Sequence, residues 1–504
     1  MSGERHDLPD GWAWAQLSDV CAINPRHERG VLDDDQLVSF VPMAAVDDGS
    51  GSIRGRIARP YGQVRKGFTH FAEGDVLFAR ITPCMENGKI AVARNLVNGV
   101  GCGTTEFHVL RPLGGIPPDY VYRYLRQESF RRTAAANMSG TAGQLRVPTY
   151  YIRSVEIPVA PLGEQRRIVA KIVVLLDQIR TAREALDRIP PLLKKFRQSV
   201  LAAAFRGDLT RDWREQHPDV EPASVLLERI RTERRRKWEE EFRAKGKDPE
   251  REKCSPPEFL DTTDLPDLPV SWDWASLEEV ANIITGSTPT KNDPKNYGDY
   301  LPFVKPGDLD IGRGVSGAEE YLSESGAIKA RPVPANSVMV TCIGATIGKT
   351  GLSARAVATN QQINSLVLAA WIDSVFAYFF CLTDFFQARV RANASSTTLP
   401  ILNKSRFGRL PLPIAPLREQ HQIATSVELL FAQADAIQAA VGAARRRAER
   451  LEQSILGRAF RGELVHQDPN DEPAGMLLEH IGAARPSDTS TNVNRRSARR
   501  KTGS

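Results

Sequence analysis

The feature that most constrains this chain is a long segment that occurs twice without a gap. The first copy opens PLGEQRRIVAKIVVLLDQ at Pro161–Gln178 and closes QSVLAAAFRGDL at Gln198–Leu209. The second opens PLREQHQIATSVELLFAQ at Pro416–Gln433 and closes QSILGRAFRGEL at Gln453–Leu464. Equivalent residues lie 255 positions apart throughout. A repeat of that length without insertion points to a fixed structural span. In the first copy apolar residues fall at Ile168, Ile172, Leu175, Ile179, Ala182, Leu186, Ile189, Leu193, Phe196, Val200 and Ala203. In the second they fall at Ile423, Val427, Leu430, Ala434, Ile437, Val441, Ala444, Ala448, Leu451 and Ile455. Steps of four and three make this the seam of a coiled coil. Each helix would run roughly 50 Å at 1.5 Å per residue. Two such seams in one chain most simply pack on each other; the alternative is that each helix lies on its own globular domain. Pro190 and Pro191 remove backbone donors and push Ile189 out of helical dihedrals, so a kink or short break is expected before the seam resumes at Leu193. The second copy has Arg445 and Arg446 there and should be straighter.

The repetition extends beyond the helices. DLPDGWAWAQLSDV (Asp7–Val20) and DLPVSWDWASLEEV (Asp267–Val280) share a Trp-x-Trp-x-x-Leu-x-x-Val pattern after a Leu-Pro turn. This reads as a strand that places Trp12, Trp14, Trp272 and Trp274 in a core. AEGDVLFARITPCMENGKIAVA (Ala72–Ala93) parallels ANSVMVTCIGATIGKTGLSA (Ala335–Ala354), each a strand, a Gly-containing loop and a second strand in hairpin order. IPVAPL and LPIAPL lead into the two helices, and EPASVLLERI and EPAGMLLEHI follow them. The segments between these landmarks diverge. The order is therefore domain, helix, domain, helix, with divisions at 1–160, 161–255, 256–414, 415–481 and a basic tail at 482–504 that reads as disordered.

No apolar run approaches a membrane span, the polar N-terminus does not read as a signal peptide, and six scattered cysteines form no CxxC pair. These features point to a reducing, cytoplasmic setting without a zinc site. The net charge is only +6, but its distribution is uneven. Acid-free stretches carry Arg54, Arg56, Arg59, Arg65 and Lys66; then Lys329, Arg331, Lys349 and Arg355; then Arg389, Arg391, Lys404, Arg406 and Arg409. Runs of one sign suit a phosphate-facing surface. The charged segment Arg231–Lys253 reads as a solvated helix end and linker whose basic half could touch phosphate.

Catalytic motifs fail on inspection. GATIGKT at Gly344–Thr350 lacks the glycine that a P-loop places five positions before its Gly-Lys, and GLSARAV does not read as the helix such a loop requires. Ser255-Pro256-Pro257-Glu258-Phe259 and Ile116-Pro117-Pro118-Asp119-Tyr120 only approximate the base-stacking motif of amino-methyltransferases, and no glycine-rich cofactor loop accompanies them. The eight histidines are isolated, and no nucleophile triad, metal cluster or nuclease motif is evident. DNA reading without catalysis is left, since it requires polar side chains on loops held by a rigid core. Four loops qualify: Arg80–Lys89, with Arg80, Asn87 and Lys89; Ser139–Arg146, with Gln144 and Arg146; Thr341–Thr350, with Thr346 and Lys349; and Ala394–Lys404.

Taken together, the duplicated P-L-x-E-Q helix start, the Q-S-[VI]-L-x-x-A-F-x-G-[DE]-L helix end and the W-x-W-x-x-L lead-in resemble the specificity (S) subunit of a type I restriction–modification enzyme. The likeness spans nearly all of the chain except the tail. It implies an α/β (α+β) fold with two pseudo-repeated target recognition domains, each reading half of a bipartite DNA site. Two long antiparallel coiled-coil spacer helices would set the gap. It implies two modification subunits that methylate adenine N6 with S-adenosylmethionine, and restriction subunits that use ATP and Mg²⁺, with no cofactor on this chain. It also implies that Glu164, Gln165, Glu419 and Gln420 begin the spacer helices near surfaces used by the modification subunits, helix capping being their alternative role. Two other readings stay open: service to a fused methyltransferase–nuclease, or a coiled-coil scaffold that binds proteins.

Overall fold

The computed structural model describes residues 6–26, 32–55, 57–141, 143–245, 260–395 and 399–485. Arg56, the Ser255–Phe259 motif, the end of the charged linker and the tail beyond 485 lie outside them. By contacts the chain divides into two units, 1–187 with 442–504 and 188–441. Both cuts fall inside the repeated helices, 187/188 in the first copy and 441/442 in the second, within one residue of equivalent positions. Each unit thus holds one globular part and a segment of each helix.

The first repeat forms α1 (Leu162–Asp187) and α2 (Ile189–Phe205), and the second forms one 43-residue helix, α3 (Leu417–Ala459). The interruption at Pro190 is a single residue, Arg188, with φ −78° and ψ −18°. Ile189 therefore stays helical, contrary to the expectation from the proline after it. Both prolines sit in the first turn of α2, where a missing N–H forfeits no intrahelical bond. In the first unit Arg183 pairs with Glu452 at 3.3 Å and Asp187 with Arg445 at 2.5 Å, so α1 and α3 run antiparallel there. In the second unit Arg197 pairs with Asp435 at 2.6 Å and Thr210 with Glu419 at 2.6 Å, so α2 and α3 do the same. Ile168, Ile172 and Ile179 share a core with Ile455 and Leu456, while Val200 shares one with Ile423 and Val427. The seam is incomplete. Phe196, Ile437 and Leu451 stay 40–49% exposed, because a two-helix seam has no third helix to cover its flanks.

Each globular part is built on the hairpin read from the sequence. In the first unit Val76–Ala79 pairs antiparallel with Ile90–Val92 and with Phe107–Pro112, and Cys21–Ile23 completes the sheet. A second sheet orders Ile57–Pro60, Leu37–Val41, Val100–Gly103 and Thr69–Ala72. Strand alternation divides the central side chains. Leu77 and Ala79 join Val41 and Phe71 in one core; Val76 and Phe78 face the core shared with α1 and α3. In the second unit Val338–Thr341 pairs with Thr350–Ser353 and Ile363–Leu368. There Val338 and Val340 face the helices while Met339 packs with Val304, Leu309 and Val315.

The lead-in strands Ala13–Gln16 and Asp273–Ser276 pair antiparallel with Glu156–Val159 and Pro411–Ile414. Trp12 and Trp272 are buried, whereas Trp14 and Trp274 are only half-buried, so two of the four tryptophans expected in a core lie at its margin. Gly207 (φ +77°) and Gly462 (φ +73°) end the repeated helices in the left-handed region. A Cβ on either would collide with the proline of a Leu-Pro turn, Pro269 for Gly207 and Pro9 for Gly462. Helix end and lead-in therefore meet in each unit, which explains why they repeat together. A second helix after each repeat, α4 at Ala223–Ala244 and α5 at Ala474–Ala484, packs on the same unit. Salt bridges at i,i+4 such as Lys237–Glu233 and Arg243–Glu239 neutralise the basic half of Ala223–Ala244 along its own surface.

Candidate nucleic-acid interface

The helix starts are anchored inward. Trp12 Nε1 donates to Glu164 Oε2 at 2.9 Å, and Trp272 Nε1 to Glu419 Oε2 at 2.8 Å. Gln165 Nε2 donates to the carbonyl of Ala160, and Gln420 Nε2 to that of Ala415, both at 2.8 Å. All four residues are at most 1% exposed. The glutamates join each helix to the lead-in tryptophan, the glutamines hold the run before their own helix, and all four side chains are buried rather than exposed. The two copies differ at the Oε1 atom of each side chain: Gln420 Oε1 accepts from Asp373 N at 2.8 Å, whereas Gln165 Oε1 is buried with no hydrogen-bond partner among the described residues. Glu419 Oε1 accepts from Thr210 Oγ1 at 2.6 Å and Arg214 Nη1 at 2.5 Å. Glu164 Oε1 is buried with no hydrogen-bond partner among the described residues, since Val465 and Pro469 stand where the other copy has Thr210 and Arg214. Desolvation holds the Glu164 carboxyl above its ordinary range, against the opposing Trp12 hydrogen bond and Arg167 charge.

The candidate reading loops come together in pairs. In the first unit the turn after Val76–Ala79 is fastened to the Ser139–Arg146 hairpin. Val147 N donates to Arg80 O at 2.8 Å, Thr82 N to Leu145 O at 3.0 Å, and Ile81 bridges Arg146. In the second unit the turn after Val338–Thr341 is fastened to the segment ending at Leu402. Leu402 N donates to Cys342 O at 2.8 Å, Gly344 N to Pro400 O at 2.9 Å, and Ile343 bridges Ile401. The two sets of bonds are equivalent, with constant offsets of 262 and 255 positions. The backbone bonds are shared; of the six equivalent residue pairs that make them, only Ile81 and Ile343 carry the same side chain. Gly348-Lys349 leads into the strand Thr350–Ser353, so no helix N-terminus is available for a phosphate.

Several candidates have partners within the chain. Lys89 Nζ donates to the carbonyls of Met43 (3.3 Å) and Val46 (2.8 Å). Arg146 places Nε and Nη2 on Glu106 and Nη1 on the Gln144 carbonyl. The acid-free runs are also less positive than they read, because folding brings acids from elsewhere. Arg65 meets Asp34 at 2.8 Å, Arg54 meets Asp47 at 3.5 Å, Lys349 meets Asp310 at 2.7 Å, and Lys329 meets Asp293 at 3.8 Å. Arg59 lies over the Phe40 ring at 4.1 Å. Lys66, Asn87, Gln144, Arg331, Thr346, Arg355, Lys404 and Arg406 are exposed. Arg126, which the sequence did not single out, is buried and donates to the carbonyls of Asp48, Gly49 and Gly88, holding the first turn from beneath. Its neighbour Arg131 donates to the Glu86 carbonyl.

The contact between Cys102 and His70 does not make an activated nucleophile. Cys102 Sγ is 3.3 Å from His70 Nδ1, but burial pushes the thiol up to about 11 and the imidazole down, the reverse of a thiolate–imidazolium pair. Tyr120 of the Ile116–Tyr120 motif is buried and donates to the Pro158 carbonyl, so it offers no stacking face. Among the described residues no group of three or more His, Cys, Asp or Glu is placed to hold a metal ion, and no helix is long and apolar enough to cross a membrane.

Comparison with known proteins fits this geometry. Residues 269–440 match the family described as the type I restriction modification DNA specificity domain. The specificity subunit of the EcoDI type I restriction enzyme of Escherichia coli is 30% identical over 346 residues, 66% of this chain and 70% of that protein. This chain belongs to the specificity subunits of type I restriction enzymes. The EcoEI specificity subunit of the same species is 32% identical over 322 residues, 56% of this chain, and the match spans about half (53%) of that relative's own length. The solved HsdS subunit from Thermoanaerobacter tengcongensis superposes with a TM-score of 0.59 at 21% identity, over 91% of this chain and 98% of that one. That likeness concerns the fold: mixed helix and strand, with long helices and two globular parts.

Proposed function

We propose that this chain is the DNA-reading subunit of a type I restriction–modification complex, non-catalytic itself, in which each unit reads one half of a bipartite target. The observation that carries the reading is the pair of equivalent loop scaffolds, bonded alike through the backbone and furnished with different side chains. Such a design reads two unlike half-sites with one architecture. The repeated helices would set the gap between the halves. Modification subunits using S-adenosylmethionine and restriction subunits using ATP and Mg²⁺ would supply the chemistry. Apolar side chains left exposed on the helices, among them Val173, Val174, Leu192 and Leu429, offer surface for such partners. The test is co-expression with the cognate modification subunit and mapping of N6-methyladenine in host DNA. A new motif of two defined halves around a fixed gap is expected. A stable complex that leaves no new methylation would refute the reading.

A further inference from the structure

The first unit carries an ionic triad on its loop scaffold that the second unit lacks. Glu106, which precedes the strand Phe107–Pro112, accepts from Arg146 Nε at 2.9 Å and Nη2 at 2.8 Å, and from Arg80 Nε at 3.3 Å. The equivalent positions in the second unit are Gln362, Ile401 and Cys342. Yet the backbone there is fastened in the same way. Arg80 N donates to Glu106 O at 2.9 Å, as Cys342 N does to Gln362 O at 2.7 Å. The triad is therefore not required to join the loops. Its distinguishing effect is on side-chain orientation.

The two arginines are not equivalent within it. All three nitrogens of Arg146 are engaged by Glu106 and by the Gln144 carbonyl. Arg80 is held through Nε alone, and neither of its Nη atoms has a hydrogen-bond partner among the described residues. Its side chain is 31% exposed at the base of the turn that carries Asn87. A guanidinium fixed at Nε with its two terminal nitrogens unengaged keeps the fork that matches the O6 and N7 acceptors of guanine in a major groove. We propose that Arg80 reads a guanine in one half of the target and that Glu106 is the residue that positions it, with Arg146 as the counter-ion that keeps Glu106 in place. This inference rests on the DNA-reading function proposed above.

The test uses the full chain in complex with its cognate modification subunit, with N6-methyladenine motifs mapped for wild type, Glu106→Gln, Glu106→Asp and Arg80→Ala. Arg80→Ala and Glu106→Gln should relax the same single G·C pair, in one half-site only, by roughly 10- to 100-fold in discrimination. The other half and the gap should not change, and Glu106→Asp should recover part of the preference. A merely structural role would weaken the whole half-site and would not single out one base pair. Two outcomes overturn the inference: an unaltered motif in Arg80→Ala, which is informative whether or not the Glu106 variants fold, or relaxation by Glu106→Gln at a position that Arg80→Ala leaves intact. If the wild-type complex leaves no bipartite motif, the function proposed above fails instead.

Discussion

Replacing Arg214 with methionine isolates the energetics of the buried junction in the second unit. Glu419 is fully buried, and its carboxylate is met by Trp272, Thr210 and Arg214 at 2.8, 2.6 and 2.5 Å. Only Arg214 brings a positive charge. Methionine retains much of the aliphatic stem, so the packing loss is small and the charge loss dominates. Removing one partner of a buried pair costs about 3–5 kcal/mol, because the remaining charge has lost both water and counter-ion. Thr210 and Trp272 still donate, which places the expectation near the lower end, about 3 kcal/mol. Arg214 also donates to the carbonyl of Gly207 at 2.6 Å, a bond that Met cannot make. The assay is urea denaturation of the full chain, with hydrogen exchange resolved by peptide to assign the loss to the second unit. Adding Glu419→Gln should recover at least about 1.5 kcal/mol, since it removes the stranded charge. An Arg214→Met protein within about 1 kcal/mol of wild type, or a double variant no more stable than the single one, would refute the reasoning.

Glu164, raised in its affinity for a proton, makes the opposite prediction. The folded first unit holds this proton more tightly than the unfolded chain, so its stabilising contribution is complete below the ordinary carboxylate range and lost as pH rises through the raised value. Glu164→Gln should remove that slope in a pH series of denaturation midpoints and be neutral or stabilising at pH 7. Gly207→Ala and Gly462→Ala should each cost about 2–4 kcal/mol, combining a left-handed backbone with a clash against proline, as read by thermal unfolding. Gly442→Ala should stabilise by about 0.5–1 kcal/mol, since Gly442 lies inside α3 and its added methyl would meet only Arg446 at 3.5 Å; an unchanged or lowered midpoint would contradict this.

Much of the architecture was legible because it is written twice. The hairpins, the helices and the Trp-containing strands follow from patterns of period two and of three to four; that the Pro-rich runs pair with those strands was visible only in the structure. What escaped was set by folding. Nothing linear shows that Asp34 would reach Arg65, or that Lys89 would cap the carbonyls of Met43 and Val46. Acid-free runs therefore overstated the positive surface. Glu164 and Glu419 looked like helix-start carboxylates at a surface; their tryptophan partners lie 152 and 147 residues away. Glu106 carried one weak signal, its place before a strand equivalent to the one after Gln362.

The buried Trp–Glu bond argues for what the repeated scaffold is built to keep. An apolar pair of similar volume would close the same space without desolvating a carboxylate, and such replacements are often neutral or stabilising. The first unit retains the bond even though half of its carboxylate has no hydrogen-bond partner among the described residues, so the arrangement is not one of maximal stability there. A tryptophan N–H and a carboxylate at 2.9 Å fix the direction and register of a contact in a way that apolar packing does not. That contact sits where the helix start meets the lead-in strand, and the loop scaffolds hang from the same globular part. If geometry is what the bond supplies, Trp12→Phe combined with Glu164→Met, which removes both partners and strands neither, should leave the first unit about as stable as wild type, yet broaden the modification motif in one half-site. A stable complex of that double variant with an unaltered motif would show that the bond contributes nothing to reading.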